Sequence, residues 1–431
     1  MIEKNKREEI IDLVKREVVP AIGCTEPAAV SLAVAKAKET LGEMPEKVKV
    51  SLSGNMLKNA MGVGIPGTGM IGLPIAIALG ALIGKSEYGL EVLKDVSPKA
   101  VKHGKEFIAE DRIEIHLAED TPSNLYIDVE VEGKDGKKAR CVISGSHSNF
   151  VLISKDDEIL LDNRSNGDTA GSVADEEVDL SMAMVWEFGT EAPAEEIGFI
   201  LMARDLNKAA SEEGKGGGFG HAVGNIVREK GKLFFGDGLL AKMISATSAA
   251  CDARMGGAPI PVMSNSGSGN QGITATMPVV SFAENTGATE ETLARALMLS
   301  HLTSIYIKQH LGRLSALCGC VVASTGAAVG LTYLMGGGYE EASAAVKNMV
   351  ANLTGMLCDG AKPSCSMKIS SGVSTAMMSA LLAMEGKCVS EAEGIVHSDV
   401  DTTIRNLTSI GKEAMTVTDR HVLRIMTSKD C

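Results

Sequence analysis

The sequence predicts an α+β protein with a mainly helical domain and a smaller domain that contains an antiparallel sheet and helices. Between residues 112 and 161, apolar and polar residues alternate, as at 125–131, which is typical of half-buried strands. Beyond residue 176 the pattern is helical almost throughout, with glycine-rich loops between the segments. Only 3% of the residues are aromatic and 47 are glycine, so aliphatic side chains, methionine and close backbone approaches must fill the core.

Two helices open the chain in this prediction. Residues 7–18 carry apolar side chains at helical spacing, and Pro20 ends that helix. A second helix runs from about 26 to 39, with Thr25 as its cap and Pro27 in its first turn. We expect these helices, within residues 1–45, to join the helical domain of residues 171–431.

Residues 46–170 form the predicted β-containing domain. A strand at 47–53 opens it, and later strands form hairpins that turn at 134–136 and around 156–157. In the helical domain, the periodicity predicts helices at 176–188, 192–211, 238–253, 290–311, 340–357, 368–385 and 400–415. Gly360 is the expected C-cap of the helix that starts at 340, because Pro363 prevents its continuation.

Three stretches without charge, 59–84, 255–283 and 314–339, are each long enough to span a bilayer. They are rich in small residues and are interrupted by proline, glycine or amides, which favours buried, closely packed backbone. A transmembrane protein is therefore the minor alternative, and we expect no membrane partner.

The charge and the cysteine content limit the class of protein. The net charge of −13 opposes binding to a phosphate backbone, so no nucleic-acid partner is expected. The charged N-terminus does not resemble a signal peptide. With nine cysteines and no export signal, the expected location is the cytoplasm, where cysteines are thiols or ligands. A homo-oligomer is left open.

Two cysteines, Cys358 and Cys365, flank a short loop with Gly360 and Pro363, and such a pair can face one metal site. A third donor is available at Cys318 or Cys320, where the neighbouring glycine allows backbone N–H groups to approach cluster sulfurs. The alternative is that these are small buried hydrophobic residues, which the spacing alone favours slightly. Zinc is a further alternative, although its sites usually have tighter pairs and a clear fourth ligand.

Cys24 precedes a predicted helix N-terminus, where the helix dipole and free N–H groups favour a thiolate. A thiolate at this position can act as nucleophile, metal ligand or proton acceptor. From this segment alone, a structural cysteine before a helix cap is an equally good interpretation.

Runs of serine, asparagine and glycine at 53–59, 144–149 and 264–271 supply hydroxyl, amide and N–H groups suited to a small carboxylate. The alternative role of such residues is in caps and turns. His147 is either a substrate donor or a solvated loop histidine. The candidate substrate-binding residues are Asn55, Lys58, Asn59, Ser266, Gly267, Ser268, Asn270 and Gln271.

The glycine pattern at 62–67 formally matches a dinucleotide-binding motif. No βαβ unit with a ribose-binding acid follows it, so we reject that interpretation.

Several motifs together resemble the L-cysteine desulfidase family and, more distantly, the iron–sulfur-dependent L-serine dehydratases. They occur in the family order across nearly the whole chain: Cys24-Thr-Glu-Pro27, residues 54–68, Ser266-Gly-Ser-Gly-Asn-Gln-Gly272, Leu317-Cys-Gly-Cys320 and Cys358-Asp-Gly-Ala-Lys-Pro-Ser-Cys365. The resemblance implies a [4Fe–4S] cluster on three cysteines, with one iron left open. It places two ligands at Cys358 and Cys365 and the third at Cys318, with Cys320 in reserve.

The resemblance also implies β-elimination of L-cysteine to sulfide, ammonia and pyruvate, without pyridoxal phosphate (PLP). Cys24 is then the base near the cluster, although a ligand role stays open, and Lys58 is a partner for the substrate carboxylate. Serine dehydratase is the alternative enzyme. A structural or redox-sensing iron–sulfur protein without turnover is the alternative from another class.

Overall fold

The computed structural model describes residues 2–164, 178–312 and 314–429, and its fold is α+β, as predicted. The predicted domain boundary at 170 and 171, and the predicted start of a helix at 176, lie outside these residues. The strands are β1 (Pro20–Ile22), β2 (Lys47–Leu52), β3 (Gly64–Ile65), β4 (Met70–Ile71), β5 (Ile113–Leu117), β6 (Tyr126–Glu132), β7 (Lys138–Ser144), β8 (Phe150–Lys155), β9 (Glu158–Asp162) and β10 (Pro261–Met263).

Helices make up most of the rest of the described chain. In the first part they are α1 (Lys4–Glu17), α2 (Thr25–Leu41), α3 (Gly54–Ala60), α4 (Leu73–Leu82) and α5 (Pro98–Ala109). In the second part they are α6 (Met182–Glu191), α7 (Ala194–Ile197), α8 (Leu201–Lys215), α9 (Val223–Glu229), α10 (Lys232–Phe235), α11 (Leu239–Met255), α12 (Gly269–Thr286), α13 (Glu290–Leu311), α14 (Gly319–Leu334), α15 (Tyr339–Leu353), α16 (Cys365–Met384), α17 (Val400–Ser409) and α18 (Thr416–Thr427). A π-helical turn, Ile410–Ala414, joins α17 to α18.

The main sheet has six strands in the order β5-β2-β6-β7-β8-β9. Four of its five pairings are antiparallel, and β2 and β5 are parallel. The prediction of an antiparallel sheet is therefore wrong at this edge. Parallel neighbours need a long crossover, and here the chain supplies one with α3, α4 and α5 between the two strands.

The alternation in β6 has the expected cause, since Ile127, Val129 and Val131 are fully buried beneath α2. This second helix packs against β6, β7 and α4 rather than against the helical domain. The first helix is different, because Ile10 and Val14 belong to the core of the helical domain. The N-terminal segment thus contributes α1 to the helical domain and α2 to the β-containing domain.

The helical domain is built around α12, α13 and α14, which are buried on nearly all sides. Small residues let these helices approach each other closely. A Cβ atom on Gly330 would lie 2.7 Å from the Ala296 carbonyl of α13, and one on Gly326 would collide with the Ser300 carbonyl. The uncharged stretch 314–339 is therefore closely packed core. Among the described residues, no helix combines the length and apolar character needed to cross a bilayer.

Several helix boundaries differ from the prediction. The helix predicted at 192–211 consists of α7, a 3₁₀ turn at Gly198–Ile200 and α8. The helix that starts near 340 ends at Leu353, so the predicted capping role of Gly360 is wrong. The α-helix at 400 ends at Ser409, where the π-helical turn begins. Neither α12 nor α14 is among the predicted helices, because helices buried on all sides lack amphipathic periodicity.

Candidate active site

A cavity of about 380 Å³, here called the first cavity, lies where four long helices begin. Cys24, Ser268 and Cys318 are the N-caps of α2, α12 and α14, and Cys365 is the first residue of α16. Free N–H groups and the positive ends of the helix dipoles at such termini favour anions. The cavity is therefore suited to thiolates or a carboxylate.

The lining of the first cavity combines thiols, amides, hydroxyls and charged groups. Its members include Cys24, Glu26, Asn55, Asn59, His147, Arg254, Ser266, Gly267, Ser268, Asn270, Gln271, Lys308, Cys318, Cys320, Cys358, Cys365, Lys368 and Lys412. Predicted residues as far apart in the sequence as Cys24 and Cys365 thus meet at one place. Lys58 is the predicted site residue that does not line this cavity.

Backbone hydrogen bonds hold Cys318 and Cys358 side by side. Leu317 and Leu357 form an isolated antiparallel bridge. The Cys318 N–H donates to the Met356 carbonyl at 3.0 Å, and the Cys358 N–H donates to the Ala316 carbonyl at 2.7 Å. The backbones of the two cysteines are therefore held next to each other.

Cys365 is brought to the same cavity by the loop that follows Cys358. Its Sγ lies 3.7 Å from the carbonyl of Gly360, which has a φ of +91°. A Cβ atom at Gly360 would collide with the backbone carbonyl of Lys58. Glycine is thus required there, because the loop packs directly on the backbone of α3.

The sulfur of Cys320 has different surroundings from that of Cys318. Its Sγ donates to the Lys368 carbonyl at 3.3 Å, and a Cβ atom on Gly372 would lie 2.7 Å from it. This sulfur is thus packed between α14 and α16, whereas Cys318 forms the bridge beside Cys358. These surroundings favour Cys318 over Cys320 as the residue that could bind a metal together with Cys358 and Cys365.

Burial determines the protonation of these thiols in the protein alone. It raises the pKa of Cys318 to about 12, and the neighbouring Cys358 adds to the shift. Burial also raises the pKa of Cys365. When a metal binds to such a group of thiols, it replaces their protons, and the sulfurs become thiolate ligands. The Lys368 ammonium, which is ion-paired with Asp359 and donates to the Leu357 carbonyl at 2.7 Å, supplies a nearby positive charge.

In the parts of the chain that the structure describes, no three His, Cys, Asp or Glu side chains are placed to hold one metal ion. A cubane cluster differs from a single ion, because its cysteine ligands bind separate iron atoms and do not converge on one point. Three thiols lining one cavity therefore fit a cluster better than zinc.

The expected thiolate at Cys24 is contradicted by its surroundings. Burial and the Glu26 carboxylate raise the pKa of Cys24 to about 12. The opposing influence is the Arg254 guanidinium, whose Nη2 lies 3.7 Å from the Cys24 Sγ. The prediction took account of the helix N-terminus but not of desolvation, which is the main cause of the raised pKa.

The segment 264–271 approaches the first cavity through a backbone turn, with φ of +48° at Ser266 and +80° at Gly267. A buried hydrogen-bond network on the side away from the cavity holds this segment in place. Asn265 Nδ2 donates to Nδ1 of His301 at 3.1 Å, and Thr276 Oγ1 lies 3.0 Å from Nε2 of the same ring. Burial lowers the pKa of His301 to about 3, so the ring is neutral.

Unpaired polar atoms mark this cavity as a binding site. Buried oxygens of Asn55 and Gln271 and the Nε of Arg254 have no hydrogen-bond partner among the residues that the structure describes. The Gln271 side chain lies over Gly319, where a Cβ atom would be 2.9 Å from its Cδ. Buried polar atoms normally have partners, and a polar ligand would provide them.

The sequence did not point to Arg254 or Glu26 as site residues. Arg254 donates to Asn270 Oδ1 at 3.0 Å and to the Gly23 carbonyl at 3.0 Å, and so connects two predicted motifs. Glu26 accepts a hydrogen bond from Asn59 Nδ2 at 3.2 Å. A signal existed for both, since Glu26 lies within the Cys24–Pro27 motif and Arg254 borders the uncharged stretch 255–283.

Lys58 lies in α3, is 2% exposed, and forms an ion pair with Asp419 of α18. It lines a second cavity of about 240 Å³, which shares Asn55 and Lys412 with the first. The residue predicted to bind the substrate carboxylate is thus already paired with a carboxylate of the chain.

The α+β fold and the cysteine-lined cavity define this chain as a protein with a thiol-rich binding site at the ends of helices. Comparison with known families shows which family has these features. A family model described as serine dehydratase alpha chain matches residues 87–424, and the chain belongs to this family. The predicted relation to the serine dehydratases is thereby confirmed.

Individual relatives extend the similarity to the whole chain. A UPF0597 protein of Bacteroides fragilis is 59% identical over 430 residues, which are 99% of this chain and 100% of the relative. A UPF0597 protein of Porphyromonas gingivalis is 52% identical over 433 residues, covering 99% and 100%. One from Shewanella halifaxensis is 45% identical over 430 residues, covering 97% and 98%.

Proposed function

We propose that this protein is a [4Fe–4S]-dependent lyase that eliminates the β-substituent of a small amino acid, with L-cysteine as its preferred substrate. The observation that carries the proposal is the meeting of Cys318, Cys358 and Cys365 with amide and hydroxyl groups in one cavity. Membership of the serine dehydratase alpha-chain family supports an elimination reaction.

Cys318, Cys358 and Cys365 would hold the cluster. When bound, it would supply a Lewis acid that lowers the pKa of the substrate thiol and makes sulfide a better leaving group. The Lys368 ammonium and the N-termini of α14 and α16 offset the negative charge of three thiolates.

The remaining lining residues fix the amino acid. The start of α12, with Ser268, Asn270 and Gln271, presents amide groups and free N–H groups to the substrate carboxylate. The Glu26 carboxylate is the partner for the α-ammonium group.

Cys24 removes the α-proton. Its thiol is protonated when the cavity is empty, because burial and Glu26 disfavour the thiolate. The positive charge of the substrate ammonium, together with Arg254, favours transfer of that proton to solvent upon binding, and the resulting thiolate accepts the α-proton. Loss of the α-proton and of sulfide gives aminoacrylate, which tautomerises to an imine and hydrolyses to pyruvate and ammonia.

The reaction itself provides the first test. With anaerobically reconstituted protein, L-cysteine should yield sulfide, ammonia and pyruvate in equal amounts, and L-serine should be a much poorer substrate, since soft iron prefers a thiol to an alcohol. Exposure to oxygen should abolish activity. Faster turnover of L-serine than of L-cysteine would make the protein a serine dehydratase, as the family match favours. A bound cluster with neither activity would indicate a structural or redox role.

The third cluster ligand can be tested by comparing two neighbouring cysteines. Cys318→Ala should lose most of its iron, because this residue lies beside Cys358, whereas Cys320→Ala should retain it, because the Cys320 sulfur contacts the Lys368 carbonyl. The measurement is iron and acid-labile sulfide per chain after anaerobic reconstitution. Iron loss only in the Cys320 variant would reverse the assignment.

A further inference from the structure

The second cavity carries an excess of positive charge. Its charged lining residues are Lys58, Lys412, Arg420 and Asp419, three cations and one carboxylate, in a protein whose net charge is −13. Lys58 and Asp419 neutralise each other. Within residues 2–164, 178–312 and 314–429, neither Lys412 nor Arg420 has a carboxylate partner. Lys412 and Arg420, both exposed at the cavity, are thus without a carboxylate partner in that part of the chain.

Lys58 adds a second and independent observation. Its ammonium group is buried, yet Asp419 is the one hydrogen-bond acceptor that it has among the described residues. An ammonium group carries three N–H donors, so two of them have no protein partner. Buried charges normally have their remaining donors satisfied as well, and the cavity beside Lys58 leaves room for an acceptor.

The position of the second cavity relates it to the first. It lies between α3, the π-helical turn and α18, and Asn55 and Lys412 line both cavities. The Oδ1 atom of Asn55 is buried and has no hydrogen-bond partner in the described part of the chain. An anion in the second cavity would therefore be adjacent to the site of reaction.

We infer that the second cavity is a binding site for a small carboxylate, held by Lys58, Lys412 and Arg420 and distinct from the cysteine-lined site. The choice of a carboxylate rather than another anion rests on the proposed function, whose substrate and product both carry this group. The Arg420 guanidinium can bind a carboxylate through two parallel N–H donors.

Pyruvate is the probe, titrated calorimetrically into the anaerobically reconstituted full-length protein. Arg420→Gln should weaken the binding roughly tenfold, since it removes a charge-assisted hydrogen bond from an exposed group. Arg424→Gln is the matched control, because Arg424 lies one turn later in α18, is exposed and does not line the cavity. It should bind pyruvate as the unchanged protein does.

Asp419→Asn should change the affinity for pyruvate in the opposite direction. It removes the carboxylate that competes for Lys58, so pyruvate should bind several-fold more tightly, and damage to the fold cannot produce such a gain. Pyruvate binding that Arg420→Gln leaves unchanged, or that Asp419→Asn weakens, would overturn the assignment. Binding of inorganic phosphate without pyruvate would also overturn it.

A variant of the first cavity, Asn270→Ala, should retain this binding. If Asn270→Ala abolishes it, pyruvate binds only in the first cavity and the second site is rejected. The titration needs no turnover, whereas the proposed function is tested by sulfide release from L-cysteine. Failure of one can therefore be recognised separately from failure of the other.

Discussion

Cys358→Ala and Cys365→Ala should each lose most of the cluster iron and lower turnover by at least about a hundredfold. Even the outer partners of metal ligands change affinity or activity by roughly 10- to 100-fold when they are replaced, and a ligand should have a larger effect. The reconstituted unaltered protein should contain about four irons per chain. Iron and sulfide content, measured together with pyruvate formation, test this prediction.

Two cysteines outside the first cavity serve as matched controls. Cys141 is buried in strand β7, and Cys388 is exposed after α16. Cys141→Ala and Cys388→Ala should retain iron and activity. Full iron content in both the Cys358 and Cys365 variants would show that the ligand assignment is wrong. Equal iron loss in the controls would indicate a general instability of the variants.

Cys24→Ala should retain the cluster but lower turnover by roughly two to four orders of magnitude, the usual range for a positioned proton acceptor. The structural reason is that Cys24 lies at the start of α2 beside Arg254, apart from the bridge that joins the segments of Cys318 and Cys358. Exchange of the substrate α-proton with solvent deuterium should decrease in parallel. Turnover, exchange and iron content are all measured on the same preparation.

Other outcomes of the Cys24 experiment have distinct meanings. Retained exchange with blocked sulfide release would place Cys24 in the leaving-group step. Loss of iron along with activity would make it a cluster ligand. Both results contradict the role of base, and the second would also require a new ligand set.

Much of the fold follows from local patterns in the sequence. The alternation in β6 identified this strand because one of its faces is buried. The signals for α13 lie at its ends, with Glu290 and Glu291 in the first turn and Gly312 after the last residue. The parallel pairing of β2 with β5 was not predictable, because it depends on how the long crossover through α3, α4 and α5 returns the chain to the sheet. The interior helices α12 and α14 have no polar face, so their sequences show no helical periodicity.

The sequence by itself determined which chemical groups the site contains, since thiols, glycines and amides keep their identity in any fold. The tertiary structure alone decided how those groups behave. Desolvation raised the pKa of Cys24 against the effect of the helix N-terminus, and Asp419, 361 residues away in the chain, took Lys58 as its partner. Burial and long-range ion pairs depend on distances between segments, and a local motif does not encode those distances.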